Sequence, residues 1–148
     1  MAGSVGVLAL QGAFREHMRA LSDVGLEPVE VRQARDFAGL EGLVIPGGES
    51  TTMSKLMVAY GLEQPIRDLR AAGAPVFGTC AGMILVARHA VDVLPDQRSL
   101  GLIDIEVRRN AKRPGSLPHP SRRYARDDAA AKRVASPMLA TCLRRGGR

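Results

Sequence analysis

Short apolar runs that alternate with stretches of helical period constrain this chain more than any other feature. Residues 5–10 (VGVLAL), 28–32 (PVEVR), 42–45 (GLVI) and 75–78 (PVFG) each read as a short buried strand. Between the first two, Phe14, Met18, Leu21 and Val24 recur at helical spacing, and Gly25 supplies a stop. After the third, Ser50 or Thr51 is expected to cap a helix to Tyr60, with Gly61 closing it. A second amphipathic helix follows over 63–72, with Ile66 and Leu69 inward, and a helix from Cys80 to about Arg88 follows the fourth strand. Residues 100–107 (LGLIDIEV) read as a further strand. Strands alternating with helices imply an α/β fold with a mostly parallel sheet, whose sites gather beyond the carboxyl ends of the strands. Gln11, residues 47–50 and Cys80 all fall at such ends.

The composition fits that architecture. Apolar residues make up 45% but aromatics only 3%, so the core must be built from Val, Leu, Ile, Ala and Met, as in a buried parallel sheet. A length of 148 residues suits one domain. No run approaches the roughly 18 apolar residues of a membrane-spanning helix, and the N-terminus lacks a secretory pattern. Cys80 and Cys142 make no disulfide framework, and no Cys/His cluster has zinc spacing, which points to a reducing cytoplasm and to no metal. Charge divides the chain. Residues 1–111 hold 11 Lys/Arg against 13 Asp/Glu, whereas residues 112–148 hold 10 against 2. That last quarter is Pro-rich at 112–120 (KRPGSLPHP) and has no sustained period. With Tyr124 as its one ring, it gives thin support for nucleic-acid binding.

The chemistry centres on Cys80. Strand, then Gly78-Thr79-Cys80-Ala81-Gly82, then helix is the cysteine counterpart of the G-x-S-x-G nucleophile elbow. The two glycines permit a sharp turn with the thiol exposed, and the helix start behind it favours thiolate. The Ala81 N–H is placed to serve an oxyanion. A lone cysteine is more often a small buried apolar residue, but glycines on both sides at a strand–helix junction favour the nucleophile. The loop Pro46-Gly47-Gly48-Glu49-Ser50-Thr51-Thr52 reads as exposed backbone N–H groups suited to a carbonyl or carboxylate, or as a Gly turn leading into a capped helix. His17 reads as a surface or boundary residue of the first helix. His89, at the far end of the helix begun at Cys80, would stand roughly 13 Å from the thiol. His119 lies in the irregular segment, so none of the three is a good base.

Residues 6–13 (GVLALQGA), 15–17 (REH), 46–53 (PGGESTTM), 77–83 (FGTCAGM) and 107–110 (VRRN) closely resemble class I, triad-type glutamine amidotransferases, specifically the glutaminase subunits of pyridoxal 5′-phosphate synthase. The resemblance runs from about residue 5 to residue 111. It implies a flavodoxin-like three-layer fold and hydrolysis of L-glutamine to glutamate and ammonia, without a cofactor. The ammonia would pass to a synthase subunit that makes pyridoxal phosphate. Cys80 would be the nucleophile, Gly48, Glu49 and Ser50 the glutamine-contacting loop, and Arg109 the glutamine-binding arginine. The family's catalytic His and Glu belong to a late His-Pro-Glu segment, and no position here matches them. His119-Pro120 is followed by Ser121 and stands too early. The expectation is therefore a glutaminase-like domain over 1–111, C-terminally incomplete, followed at 112–148 by a basic irregular tail from a shifted reading frame. Such a chain would retain little activity. The alternative is a non-catalytic module that binds the synthase.

Overall fold

The computed structural model describes residues 3–109. Cys142, His119 and the expected tail at 112–148 lie outside them. Strands β1 (Ser4–Leu8), β2 (Glu27–Val31), β3 (Gly42–Ile45) and β4 (Val76–Gly78) form a parallel sheet in the order β2-β1-β3-β4. Helix α1 (Phe14–Asp23) joins β1 to β2, while α2 (Ser50–Ala59) and α3 (Glu63–Ala71) join β3 to β4. After β4 come α4 (Ala81–Val86), β5 (Ala87–Val91) and β6 (Ile103–Arg108). The last two strands form a separate parallel pair.

Strand alternation sends successive side chains to opposite faces of the sheet, and both faces are covered. Leu8, Leu43 and Ile45 point to the side where Met53 and Met57 of α2, Ile66 of α3 and Leu85 of α4 close the larger core. Val5, Val7 and Val44 point the other way, against Phe14, Met18 and Leu21 of α1. The result is the expected three-layer arrangement, with aliphatic and Met side chains filling the main core. β4 is the last strand of the four-stranded sheet, and none of its residues is fully buried.

The structure corrects three local expectations. The cap of α2 is neither Ser50 nor Thr51 but Glu49, whose carboxylate accepts from the Thr51 and Thr52 N–H groups. The strand expected at 100–107 begins only at Ile103, after Gly101 adopts φ +62. The helix after Cys80 stops at Val86 instead of reaching Arg88, and His89 lies on a strand. The cause is a competing partner. A longer helix would turn the carbonyls of Leu85, Val86 and Ala87 toward N–H groups four residues on. Instead they accept from Leu100, Leu102 and Gly101, at 2.6, 2.9 and 3.2 Å.

Candidate active site

Three strand ends meet around Cys80. The β1–α1 turn and the loop after β3 are joined by backbone bonding, with the Ala13 N–H donating to Gly47 O at 3.0 Å. Gln11 Nε2 donates to Glu49 O, also at 3.0 Å. Gly12 sits at φ +82, and a Cβ there would lie 2.0 Å from Gly47 O, so only glycine allows this approach. The loop in turn faces the nucleophile turn, since a Cβ built on Gly47 would stand 3.3 Å from the Cys80 Cβ.

Cys80 occupies φ 50, ψ −110, a region that non-glycine residues rarely adopt. Its neighbours explain how the turn is accommodated. A Cβ on Gly78 would fall 2.5 Å from Gly82 O, and one on Gly82 would fall 2.0 Å from Ile45 O. Strand β4, helix α4 and strand β3 thus approach at backbone distance. Cys80 is a free, exposed thiol. Around the turn, Gly82 N–H donates to Thr79 O and Met83 N–H to Cys80 O. Among the described residues the N–H groups of Gly48 and Ala81 have no hydrogen-bond partner. No histidine or carboxylate among them is hydrogen-bonded to the Cys80 Sγ.

Glu49 and Arg109 are brought together from positions 60 residues apart, with Arg109 Nη2 donating to Glu49 Oε1 at 3.2 Å. Arg109 reaches the loop because its N–H continues the β5–β6 ladder onto Val91 O. The Thr52 hydroxyl first, then the N–H groups of Thr52 and Thr51, hold the Glu49 carboxyl down at about 2. Ser50 is buried, and its hydroxyl donates to Gln97 Oε1 at 3.3 Å beside a 3.2 Å bond from Thr51 Oγ1. The Ser50 hydroxyl is therefore engaged by Gln97.

Two contacts went unread in the sequence. His17 Nε2 lies 3.0 Å from Thr79 Oγ1, the residue before Cys80. Its position three residues after Phe14 placed it beside the apolar stripe, a signal that was available. Gln97 carried no signal, because its loop has no period. His89 lines a cleft of about 460 Å³ on β5–β6 with Arg88, Gln97, Arg98, Ser99 and Glu106, and neither Cys80 nor residues 47–50 border it. No group of three or more His, Cys, Asp or Glu side chains among the described residues is arranged for a metal ion, and none of their helices is long and apolar enough to cross a membrane.

Comparison with known proteins gives this geometry a context. The model of the SNO glutamine amidotransferase family matches residues 7–114. The pyridoxal 5′-phosphate synthase subunit PdxT of Acidothermus cellulolyticus is 59% identical over 107 residues, covering 72% of this chain and 52% of the relative. The protein of that name from Frankia alni is 57% identical over 107 residues, covering 72% and 54%. The chain thus spans about half the length of these curated relatives. A crystal structure of a glutamine amidotransferase superposes with a TM-score of 0.68 at 49% identity, over 74% of this chain and 58% of that one. A putative peptidase E from Listeria monocytogenes, at 17% identity and TM-score 0.56 over 69% of this chain and 63% of its own, shares the fold alone.

Proposed function

Because the chain belongs to the SNO glutamine amidotransferase family, we propose that it carries the nucleophile and glutamine-binding half of a glutaminase whose ammonia serves a pyridoxal 5′-phosphate synthase. The observation that carries this reading is Cys80, exposed at φ 50 and faced by the Gly47 backbone. In the proposed reaction the thiolate attacks the glutamine carboxamide carbon. The carbonyl oxygen takes the negative charge and is met by the Ala81 N–H, with the Gly48 N–H as a second donor. Collapse of this intermediate breaks the C–N bond, and the nitrogen leaves as ammonia once a proton reaches it. Water then cleaves the glutamyl thioester to glutamate and regenerates the thiol.

Glu49 and Arg109 are proposed to recognise the amino-acid end of glutamine. The substrate carboxylate takes Arg109 and its ammonium takes Glu49, so the ion pair seen between them is exchanged for two with the ligand. The proton for the leaving nitrogen has no donor among the described residues, and no position in the sequence matches the family's His and Glu. The described residues by themselves would therefore bind glutamine without normal turnover, with Cys80 kept unoxidised in a reducing cytoplasm. In line with this, residues 1–111 are proposed to form the glutaminase-like domain and 112–148 to derive from a shifted reading frame. Resequencing the locus tests that point. An intact-protein mass that matches the whole frame as written would overturn it.

Calorimetry with L-glutamine tests the site. The full chain should bind, and Arg109→Ala should weaken binding at least about tenfold, as loss of a charge-assisted pair does. Absence of binding by the wild-type chain would remove the reading. That no histidine or carboxylate among the described residues is hydrogen-bonded to the Cys80 Sγ favours a second reading, a non-catalytic module that docks on the synthase. Retention on immobilised synthase subunit, with ammonia release no greater than that of Cys80→Ala, would support it.

A further inference from the structure

Helix α1 reaches the nucleophile turn through a single polar side chain. Phe14, Met18 and Leu21 pack against the sheet, and His17 emerges beside them to meet Thr79 Oγ1 at 3.0 Å. Burial lowers the pKa of the half-buried imidazole against the opposing field of Glu16, which favours the neutral ring. A neutral imidazole pairs with a hydroxyl in either tautomer. Thr79 is fixed elsewhere too, its N–H donating to Ile45 O at 3.1 Å and its carbonyl accepting from Gly82 N–H at 2.9 Å. Backbone and side chain of Thr79 are therefore all engaged. The next residue is Cys80, in a conformation that persists only where its surroundings over-determine it.

We propose that His17 is a positioning residue for Cys80. Its bond to the Thr79 hydroxyl locks the residue ahead of the nucleophile, and so holds the turn that presents the thiol at the strand ends. His17 is not the base, because its hydrogen bond goes to Thr79 and none joins it to Sγ. This inference rests on the glutaminase reading for what Cys80 attacks, but the contact and its effect on the thiol are measurable without it.

The test is the second-order rate of Cys80 alkylation by iodoacetamide in the full chain carrying Cys142→Ser, which leaves Cys80 as the sole thiol. His17→Phe fills the space without a polar atom, and Thr79→Val removes the hydroxyl at nearly constant shape. Each should slow alkylation about fivefold, the shift that one lost hydrogen bond produces. The double variant should be no slower than either single one, since both remove the same contact. His17→Gln, whose amide reaches the same point, should restore most of the rate. Thr79→Val at the wild-type rate, or His17→Gln as slow as His17→Phe, would overturn the proposal. Should His17→Phe fail to fold by circular dichroism, Thr79→Val and His17→Gln still decide it against the wild-type rate, with His17→Gln as slow as Thr79→Val again overturning the proposal. Glutamine binding by the wild-type chain is scored separately, so loss of the glutaminase reading is distinguishable from loss of the role of His17.

Discussion

The sharpest constraints lie at single residues. Gly82→Ala should stabilise a helix by about 1 kcal/mol on propensity alone. Here its Cβ would meet Ile45 O at 2.0 Å, so the substitution should instead lower the unfolding midpoint by roughly 10 °C or more. Gly39→Ala, at φ +75 with open space around it, should cost only about 1 kcal/mol. Equal midpoints for the two would contradict the close approach of α4 to β3. Glu49 makes a second prediction, in pH. Its carboxyl is depressed from 4.5 to about 2, so the stability it contributes is fully present above 4.5 and is lost as pH falls toward 2. Glu49→Gln should flatten the acid limb of a stability–pH curve in that window and leave its slope at neutral pH unchanged. At this scale Cys80, Gly78 and Gly82 were legible because the G-x-C-x-G spacing encodes its own geometry. The Glu49 cap was not, since Ser50 and Thr51 beside it are equally good capping residues and only the observed bonds choose between them.

Elements were read with uneven success, for physical reasons. β1 to β4 and α1 to α3 stand close to where hydrophobic period and glycine stops place them. The end of α4 was misread because nothing local stops it. Residues 100–102 take its last carbonyls from the far side of a loop, and tertiary bonding outweighs the local period there. The inner face of α2 provides a quantitative check. Met57 is fully buried in the main core whereas Val58, one residue on, is 43% exposed. Met57→Ala should destabilise by about 2–5 kcal/mol, and Val58→Ala by about 0.5 kcal/mol or less, in urea unfolding. Comparable losses for both would mean that α2 packs on a different face.

For the molecule as a whole, the family and the layered architecture were legible from ordered motifs at strand ends, because the parallel sheet places those ends together whatever the loops between them do. The pairing of Arg109 with Glu49 is a property of the folded chain, made by a ladder that carries one partner across to the other. The glutamine site proposed for the described residues, built around a thiol, draws on both of these features. The most direct measurement is protection of Cys80 from iodoacetamide in the full chain, followed by peptide mass spectrometry that distinguishes Cys80 from Cys142. L-glutamine should slow modification of Cys80 in a saturable manner and leave Cys142 unaffected, and Arg109→Ala should move protection to higher glutamine concentrations. Alkylation of Cys80 at the same rate with and without saturating L-glutamine would contradict the claim.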